Sequence, residues 1–206
     1  MEFKKAVHLV QQNICKKLPG GEAHSQMMPI GRVLSDKNKN SVKQTGVCIL
    51  LYPEGEKAYS VLIERTTYNG VHSGQIGLPG GKKEETDKDL IFTALRETEE
   101  EIGVCKEDIQ IIDSLSQLYI PPSQFLVHPV IAYVDYKPEF LIDTAEVKTL
   151  ILYDIENLIK DFEIKIKVFS GLNYTIEAPC FEINAYSVWG ATAMMLNEFR
   201  MLLLDN

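Results

Sequence analysis

The chain has 206 residues, 45% of them hydrophobic and 24% charged, and this ordinary globular composition argues against wholesale disorder. Its 21 basic and 29 acidic residues give a formal net charge of −8, which argues against nucleic-acid binding because that needs a basic surface. No stretch approaches the roughly 20 apolar residues that span a bilayer, so we expect no membrane partner.

The amino-terminus and the cysteines indicate the compartment. The segment MEFKKAVHLVQQ lacks a basic head followed by an apolar run, so it is not typical of a secretory signal. Cys15, Cys48, Cys105 and Cys180 are far apart and form no CxxC pair. We therefore expect reduced thiols in a cytoplasmic protein, not a disulfide framework or a zinc site.

The first predicted element is a helix from Phe3 to about Lys17, where apolar residues recur at helical spacing. The sequence Pro-Gly-Gly that begins at Pro19 ends it. We assign residues 1–36 to this helix and an extension packed on the domain, and residues 37–206 to the domain itself. Such a length is ample for one core.

Two strands, Gly46–Tyr52 and Ala58–Arg65, are predicted next, and a glycine-rich loop follows at Asn69–Gly81. The clearest helix runs from Thr86 to Ile102. Thr86 suits the N-cap, an acidic residue stands three positions on, and a glycine follows the last turn.

The remaining elements intermix strands and helices, which predicts an α/β fold in which helices cover a mixed β-sheet. A short helix is expected at Asp154–Lys160 and an amphipathic one from about Tyr186 to Leu203. The later strands are expected at Ile109–Leu118, His128–Tyr136, Glu163–Phe169 and Asn173–Ala178.

Three glutamates share one stripe of the helix that ends at Ile102. At 100° per residue, Glu101 lies 40° from Glu97 and Glu100 lies 60° from it on the other side. Adjacent like charges repel, and a divalent cation would reverse that penalty. Carboxylates without Cys or His suit Mg²⁺ or Mn²⁺. The alternative is a solvated acidic face, which is the usual meaning of such a run.

The preceding loop favours the metal site. Gly80 and Gly81 stand just upstream of the helix, and paired glycines let the backbone approach a ligand closely. Most glycine pairs are simply turns. In combination with Arg96-Glu97 and Glu100-Glu101, however, the pair is much more specific.

These residues resemble the signature of the Nudix hydrolases, in which a glycine and an acidic residue precede Arg-Glu, Glu-Glu and Gly. Here the series is Gly81, Asp87, Arg96-Glu97, Glu100-Glu101 and Gly103. The chain departs from the pattern in having Asp87 for the usual Glu, a spacing one residue longer, and Thr98 for an aliphatic residue. The resemblance implies a Nudix-type α/β/α sandwich.

Further segments resemble the coenzyme A pyrophosphatase branch of that family. They are Val61–Arg65, His72–Gln75, Leu78–Gly81, Thr93–Glu97, Tyr119–Ser123 and Val188–Ala193. The resemblance implies metal-dependent hydrolysis of the diphosphate bridge of a nucleoside diphosphate derivative, with coenzyme A or acyl-CoA as the first expectation. The alternatives are a nucleotide sugar, ADP-ribose or a dinucleotide as substrate, or a non-catalytic nucleotide sensor.

The resemblance also implies roles for individual residues. Glu97 and Glu101 are expected as metal ligands, with Glu100 sharing the cluster and the Gly81 carbonyl as a further ligand. Arg96 would hold the acids in position. Its own partner stays open between Asp87, Glu84 and Glu85.

Substrate contacts are expected from Arg65, His72, Gly80 and Lys82. The general base stays open between one glutamate of the cluster and an acid from a later loop, and Glu146 is a further carboxylate that is as easily a solvated loop residue. Trp189 suits a core anchor better than a base-stacking platform. A homodimer through the first or the last helix is possible.

Overall fold

The computed structural model describes residues 1–32, 42–66, 74–160, 163–171 and 174–204. Within these ranges the helices are α1 (Phe3–Ile14), α2 (Gly21–Gln26), α3 (Leu90–Ile102), α4 (Asn157–Lys160) and α5 (Gly190–Leu203). The strands are β1 (Lys43–Glu54), β2 (Lys57–Arg65), β3 (Ile76–Gly77), β4 (Gly80–Lys82), β5 (Gln110–Ser114), β6 (Leu118–Ile120), β7 (Phe125–Tyr133), β8 (Val147–Asp154), β9 (Lys165–Gly171), β10 (Tyr174–Ile183) and β11 (Tyr186–Trp189).

Eight strands form a mixed sheet. Its central order is β3-β2-β1-β7-β5, while β4, β6 and β8 pair with β1, β7 and β2. Strands β1 and β7 are parallel, with Val47 opposite Pro129. The other pairs are antiparallel.

Helices cover both faces of this sheet because β1 is apolar at every position from Val47 to Tyr52. Its odd-numbered residues join one core cluster with α1 and α5, and its even-numbered residues join another with Ala94 and Ile102 of α3. The predicted α/β/α sandwich is therefore confirmed.

The carboxyl-terminal third differs from the prediction. Strand β8 was not expected, and β9, β10 and β11 form a separate three-stranded antiparallel sheet. The last helix begins at Gly190 and not near Tyr186, since Tyr186–Trp189 pairs with β10. Helix α5 is buried on most of its surface and so is not amphipathic, because it lies between this small sheet, α1 and α2.

Several boundaries also move. Helix α1 ends at Ile14, and the strand predicted at 109–118 is divided into β5 and β6. Helix α1 contacts α5, β1 and β2, while the predicted division between residues 36 and 37 lies outside the described residues and stays a prediction. The described helices include none long and apolar enough to cross a membrane. All four cysteines are free thiols.

Candidate active site

Helix α3 positions the acidic residues, and it begins later than predicted. Thr86 lies in a turn closed by a hydrogen bond from Asp87 N–H to Glu84 O, so it is not the N-cap. Asp89 takes that position, and its Oδ1 accepts a hydrogen bond from Phe92 N–H at 2.7 Å. The helix ends as expected at Gly103, whose φ of +74° suits a left-handed cap.

Gly80 and Gly81 bring the backbone of β4 against this helix. Gly80 has a φ of +147°, and a Cβ there would overlap the backbone of Gly46. A Cβ at Gly81 would overlap the carboxylate of Glu97. The Gly80 carbonyl accepts a hydrogen bond from Arg65 Nη2 at 2.5 Å. The glycine pair is therefore required for the close approach that the sequence suggested.

Glu101 is a buried carboxylate, 1% exposed. Its Oε2 accepts a hydrogen bond from Gly80 N–H at 2.8 Å, and its Oε1 lies 2.9 Å from Arg65 Nη1 without accepting a hydrogen bond from any described residue. Burial raises the pKa of Glu101 to about 7, and the charges of Glu97 and Glu146 act in the same direction, although Arg65 and Gly80 N–H oppose them.

Arg96 holds the other two glutamates of the stripe. Its Nη2 donates to Glu97 Oε1 at 2.9 Å, and its Nη1 donates to Glu100 Oε2 at 2.7 Å. Burial raises the pKa of Glu97, while Arg96 works against that rise. The Glu100 side chain is 57% exposed, so it lies on the outer side of the cluster.

Asp87 is the partner of Arg96 that the sequence left open. Arg96 Nε and Nη2 donate to the two carboxylate oxygens of Asp87 at 3.0 and 3.1 Å, a bidentate arrangement. Asp87 also accepts hydrogen bonds from Glu84 N–H and Thr93 Oγ1. The Arg96 hydrogen bond is the main reason that the pKa of Asp87 falls to about 2.

The donor set suits a divalent cation by its chemistry, although the carboxylates of Glu97, Glu100 and Glu101 do not all lie within 4.8 Å of one another in this structure. Two of its carboxylates, Glu97 and Glu101, have pKa values raised by burial, and one Glu101 oxygen lacks a hydrogen bond among the described residues. A bound cation would favour the ionised form of both groups. Since carboxylates offer only oxygen, the site suits a hard divalent cation better than a thiophilic metal.

The residues expected to contact substrate fall into different environments. Arg65 is engaged by Gly80 and Glu101, although it still lines the cavity beside them. Lys82 is exposed, with Nζ 5.7 Å from the centre of the Phe125 ring. His72 lies outside the described residues.

A cavity of about 1160 Å³ opens beside Glu97 and Gly81. The described part of its wall carries five basic side chains and three carboxylates, so it is net positive in an acidic protein. The basic residues are Arg32, Lys43, Arg65, Lys82 and Lys83, and the acidic ones are Glu84, Glu97 and Glu146.

Sequence reasoning missed the part of the cavity wall that the carboxyl-terminal segments supply. Trp189, Thr192 and Met195 line it, as do Thr175 and Ile176 of β10. The ring of Trp189 is stacked on that of Phe169, with centroids 4.5 Å apart. The resemblance of Val188–Ala193 to the coenzyme A pyrophosphatase branch was the sequence feature that could have indicated this part of the wall.

Comparison with known proteins gives a family match. Residues 42–169 match the model of the NUDIX domain. The mitochondrial Nudix hydrolase 15 of Arabidopsis thaliana is 31% identical over 81% of this chain and 61% of its own length. The human mitochondrial coenzyme A diphosphatase NUDT8 is 30% identical over 73% of this chain and 64% of its own. The chain thus spans less than two thirds of either relative.

Similarity to solved structures is weaker. The crystal structure of a C. elegans Ap4A hydrolase binary complex aligns with 58% of this chain and 85% of its own, at 19% identity and a TM-score of 0.49. The family therefore rests on the sequence match.

Proposed function

Because this chain belongs to the Nudix family, whose domain model matches more than half of it, we propose that it is a metal-dependent pyrophosphohydrolase of nucleoside diphosphate derivatives. The observation that carries the proposal is the pair Glu97 and Glu101, one half-buried and one buried, which face the glycine pair beside the cavity. A solvated acidic face would have neither this burial nor this contact.

Coenzyme A or acyl-CoA is the favoured substrate. Support comes from the relative named as a coenzyme A diphosphatase and from the segments Leu78–Gly81 and Val188–Ala193. The products would be a phosphorylated adenosine nucleotide and phosphopantetheine. The cytoplasmic location and the homodimer stay predictions.

Glu97 and Glu101 would hold the cation, with the Gly81 carbonyl beside them and Glu100 at the outer side. When bound, a divalent cation would neutralise phosphate oxygens and lower the pKa of water. The protein supplies the geometry: Arg96 fixes Glu97 and Glu100, while Gly80 N–H and Arg65 fix Glu101.

In the hydrolytic step, the oxygen of a water molecule bonds to one phosphorus and the bond from that phosphorus to the bridging oxygen breaks. The proton released by the water needs an acceptor. We assign Glu146, because it lines the cavity wall with Glu97 and makes no side-chain hydrogen bond or ion pair with a described residue. Lys82 and Lys83 on the same wall would offset the phosphate charge.

The test is an assay of the purified protein with coenzyme A, ADP-ribose and diadenosine polyphosphates, with Mg²⁺ or Mn²⁺ and with a chelator. We expect metal-dependent hydrolysis that falls at least about 100-fold in Glu97→Gln and in Glu101→Gln. Glu99→Gln is the matched control, since Glu99 lies on the same helix but pairs with Lys106.

Full activity in folded Glu97→Gln or Glu101→Gln would contradict the site. Hydrolysis of ADP-ribose or a dinucleotide but not of coenzyme A would instead support the alternative substrates. No hydrolysis of any diphosphate would favour a nucleotide sensor.

A further inference from the structure

The residues that line the cavity have two origins in the sequence. Glu97 and Gly81 lie within residues 42–169, which match the family's domain. Other lining residues come from flanking segments on both sides of that range: Arg32, Thr175, Ile176, Trp189, Gly190, Ala191, Thr192 and Met195. This part of the lining therefore lies outside the matched domain.

A short turn fixes Arg32 at this wall. Arg32 N–H donates to the Pro29 carbonyl at 3.1 Å, and Gly31 between them has a φ of +80°. The turn is attached to β10 by a hydrogen bond from Ile30 N–H to Glu177 O at 2.9 Å. Arg32 is thus held close to the two β10 residues, Thr175 and Ile176, that line the cavity.

The guanidinium of Arg32 has no counter-charge in the described part of the chain. It is half-buried, and it makes neither an ion pair nor a side-chain hydrogen bond with any described residue. Arg65 and Arg96, by contrast, both pair with carboxylates. Burial lowers the pKa of Arg32, and no described carboxylate offsets that effect.

A half-buried cation without a partner is costly, and an anionic ligand would remove that cost. The planar guanidinium presents paired N–H donors that match two phosphate oxygens. The proposed function places the diphosphate beside the glutamates of the matched domain. Since Arg32 lines the same cavity from a flanking segment, we take an anion at Arg32 to be a separate group of the same ligand.

We propose that Arg32 binds a phosphomonoester, so that the preferred substrate is a nucleoside diphosphate derivative carrying a further phosphate outside the diphosphate bridge. This inference rests on the proposed function, because that function places the diphosphate beside the glutamates. It also separates the candidate substrates: coenzyme A has such a group on its ribose, whereas dephospho-coenzyme A and ADP-ribose lack it.

The experiment compares kcat/KM for coenzyme A and for dephospho-coenzyme A in the wild type, Arg32→Gln and Arg32→Lys. We expect the wild type to prefer coenzyme A. Arg32→Gln should lower kcat/KM for coenzyme A about 10- to 100-fold, as expected for the loss of charge-assisted hydrogen bonds, and leave dephospho-coenzyme A unchanged. Arg32→Lys should keep part of the preference.

Lys17→Gln is the control, because it removes one exposed positive charge from the same flanking segment outside the cavity. An equal loss for both substrates in Arg32→Gln, or no preference in the wild type, would overturn the inference.

A binding measurement separates failure of the inference from failure of the proposed function. Calorimetric titration without metal compares adenosine 3′,5′-bisphosphate with AMP. Tighter binding of the bisphosphate that is lost in Arg32→Gln supports the subsite even if neither coenzyme is hydrolysed. Equal affinities for the two nucleotides, or a preference that survives in Arg32→Gln, would overturn it.

Discussion

Four glutamates of the site carry the same chemical group in four environments. Glu101 is buried and held by Gly80 N–H, and Glu97 is half-buried and held by Arg96. Glu100 is largely exposed but also paired with Arg96. Glu146 is exposed on the cavity wall and has no partner among the described residues. Environment therefore divides the set into three carboxylates that are held by described partners and one that is not.

Replacement of Glu146 tests that assignment. We expect Glu146→Gln to lower kcat about 100-fold or more with little change in KM, because the amide keeps the shape of the side chain but cannot take up the proton. Steady-state kinetics with the favoured diphosphate measure both constants.

Glu84→Gln is the matched variant, since Glu84 is an exposed carboxylate on the same cavity wall. We expect Glu84→Gln to behave as the wild type, because it removes a negative charge from the cavity wall without removing the proposed proton acceptor. An unchanged kcat in Glu146→Gln would contradict the assignment and would indicate that Glu97 or Glu100 accepts the proton from the water.

Spacing along a helix is what sequence can predict at this scale. Because Glu97 and Glu101 are four residues apart, the prediction of a helix was enough to predict that their side chains are neighbours. The burial of Glu101 did not, since it depends on Arg65 and Gly80 from other strands. The partner of Arg96 was likewise open, because the turn before the helix decides which acid faces it.

At the scale of elements, the start of α3 shows why boundaries are hard to predict. Thr86 and Asp89 are both good N-cap residues, and the sequence alone does not choose between them. The turn at Glu84–Asp87 delays the helix, and that turn is held by the Asp87 side chain, which bonds Glu84 N–H, Thr93 and Arg96.

Substitution at the N-cap measures this choice. Asp89→Ala should lower the free energy of unfolding by about 1 kcal/mol, because Phe92 N–H loses its acceptor. Thr86→Ala, three residues earlier and exposed, should have little effect. Urea denaturation of both variants measures the change. An equal or larger loss of unfolding free energy in Thr86→Ala would indicate that Thr86 is the N-cap.

The second sheet was missed for a similar reason. Strands β10 and β11 are joined at Asn184 and Ala185, which both have positive φ, at 48° and 68°. A two-residue hairpin of this kind is normally signalled by Asn-Gly, and alanine hides it. Because no turn was predicted at Asn184 and Ala185, the residues from Tyr186 onward were assigned to the last helix.

At the scale of the whole molecule, the matched domain and its flanking segments contribute different parts of the structure. The family predicted from the Arg-Glu and Glu-Glu pairs is confirmed, and residues 42–169 contain the glutamates and glycines of the site. The flanks supply α1 and α5, whose buried residues join the core on one face of the main sheet, and part of the cavity wall. The motif therefore predicted the family, whereas the cavity wall depends on how segments distant in sequence pack together.

A buried pair joins these flanks. Glu198 of α5 is 0% exposed, and its Oε2 lies 2.9 Å from His24 Nε2 of α2. Its Oε1 accepts hydrogen bonds from Gly20 N–H at 3.1 Å and Ser116 N–H at 3.3 Å. Burial alone would raise the pKa of Glu198, but the hydrogen bonds from His24 and Ser116 outweigh it and hold the pKa below its usual value.

A carboxyl with a lowered folded-state pKa stabilises the protein above its unfolded pKa, and this contribution is lost as the pH falls through the folded value. We therefore expect Glu198→Gln to lower the free energy of unfolding by about 1–3 kcal/mol at neutral pH, since the charged acceptor is lost. The difference from the wild type should begin to shrink once the pH falls below about 4.5, the ordinary pKa of a glutamate, because the wild type then loses the same charge. Denaturant unfolding of both chains across this range measures it. Parallel curves at every pH would show that the Glu198 charge contributes nothing to holding α2 and α5 together.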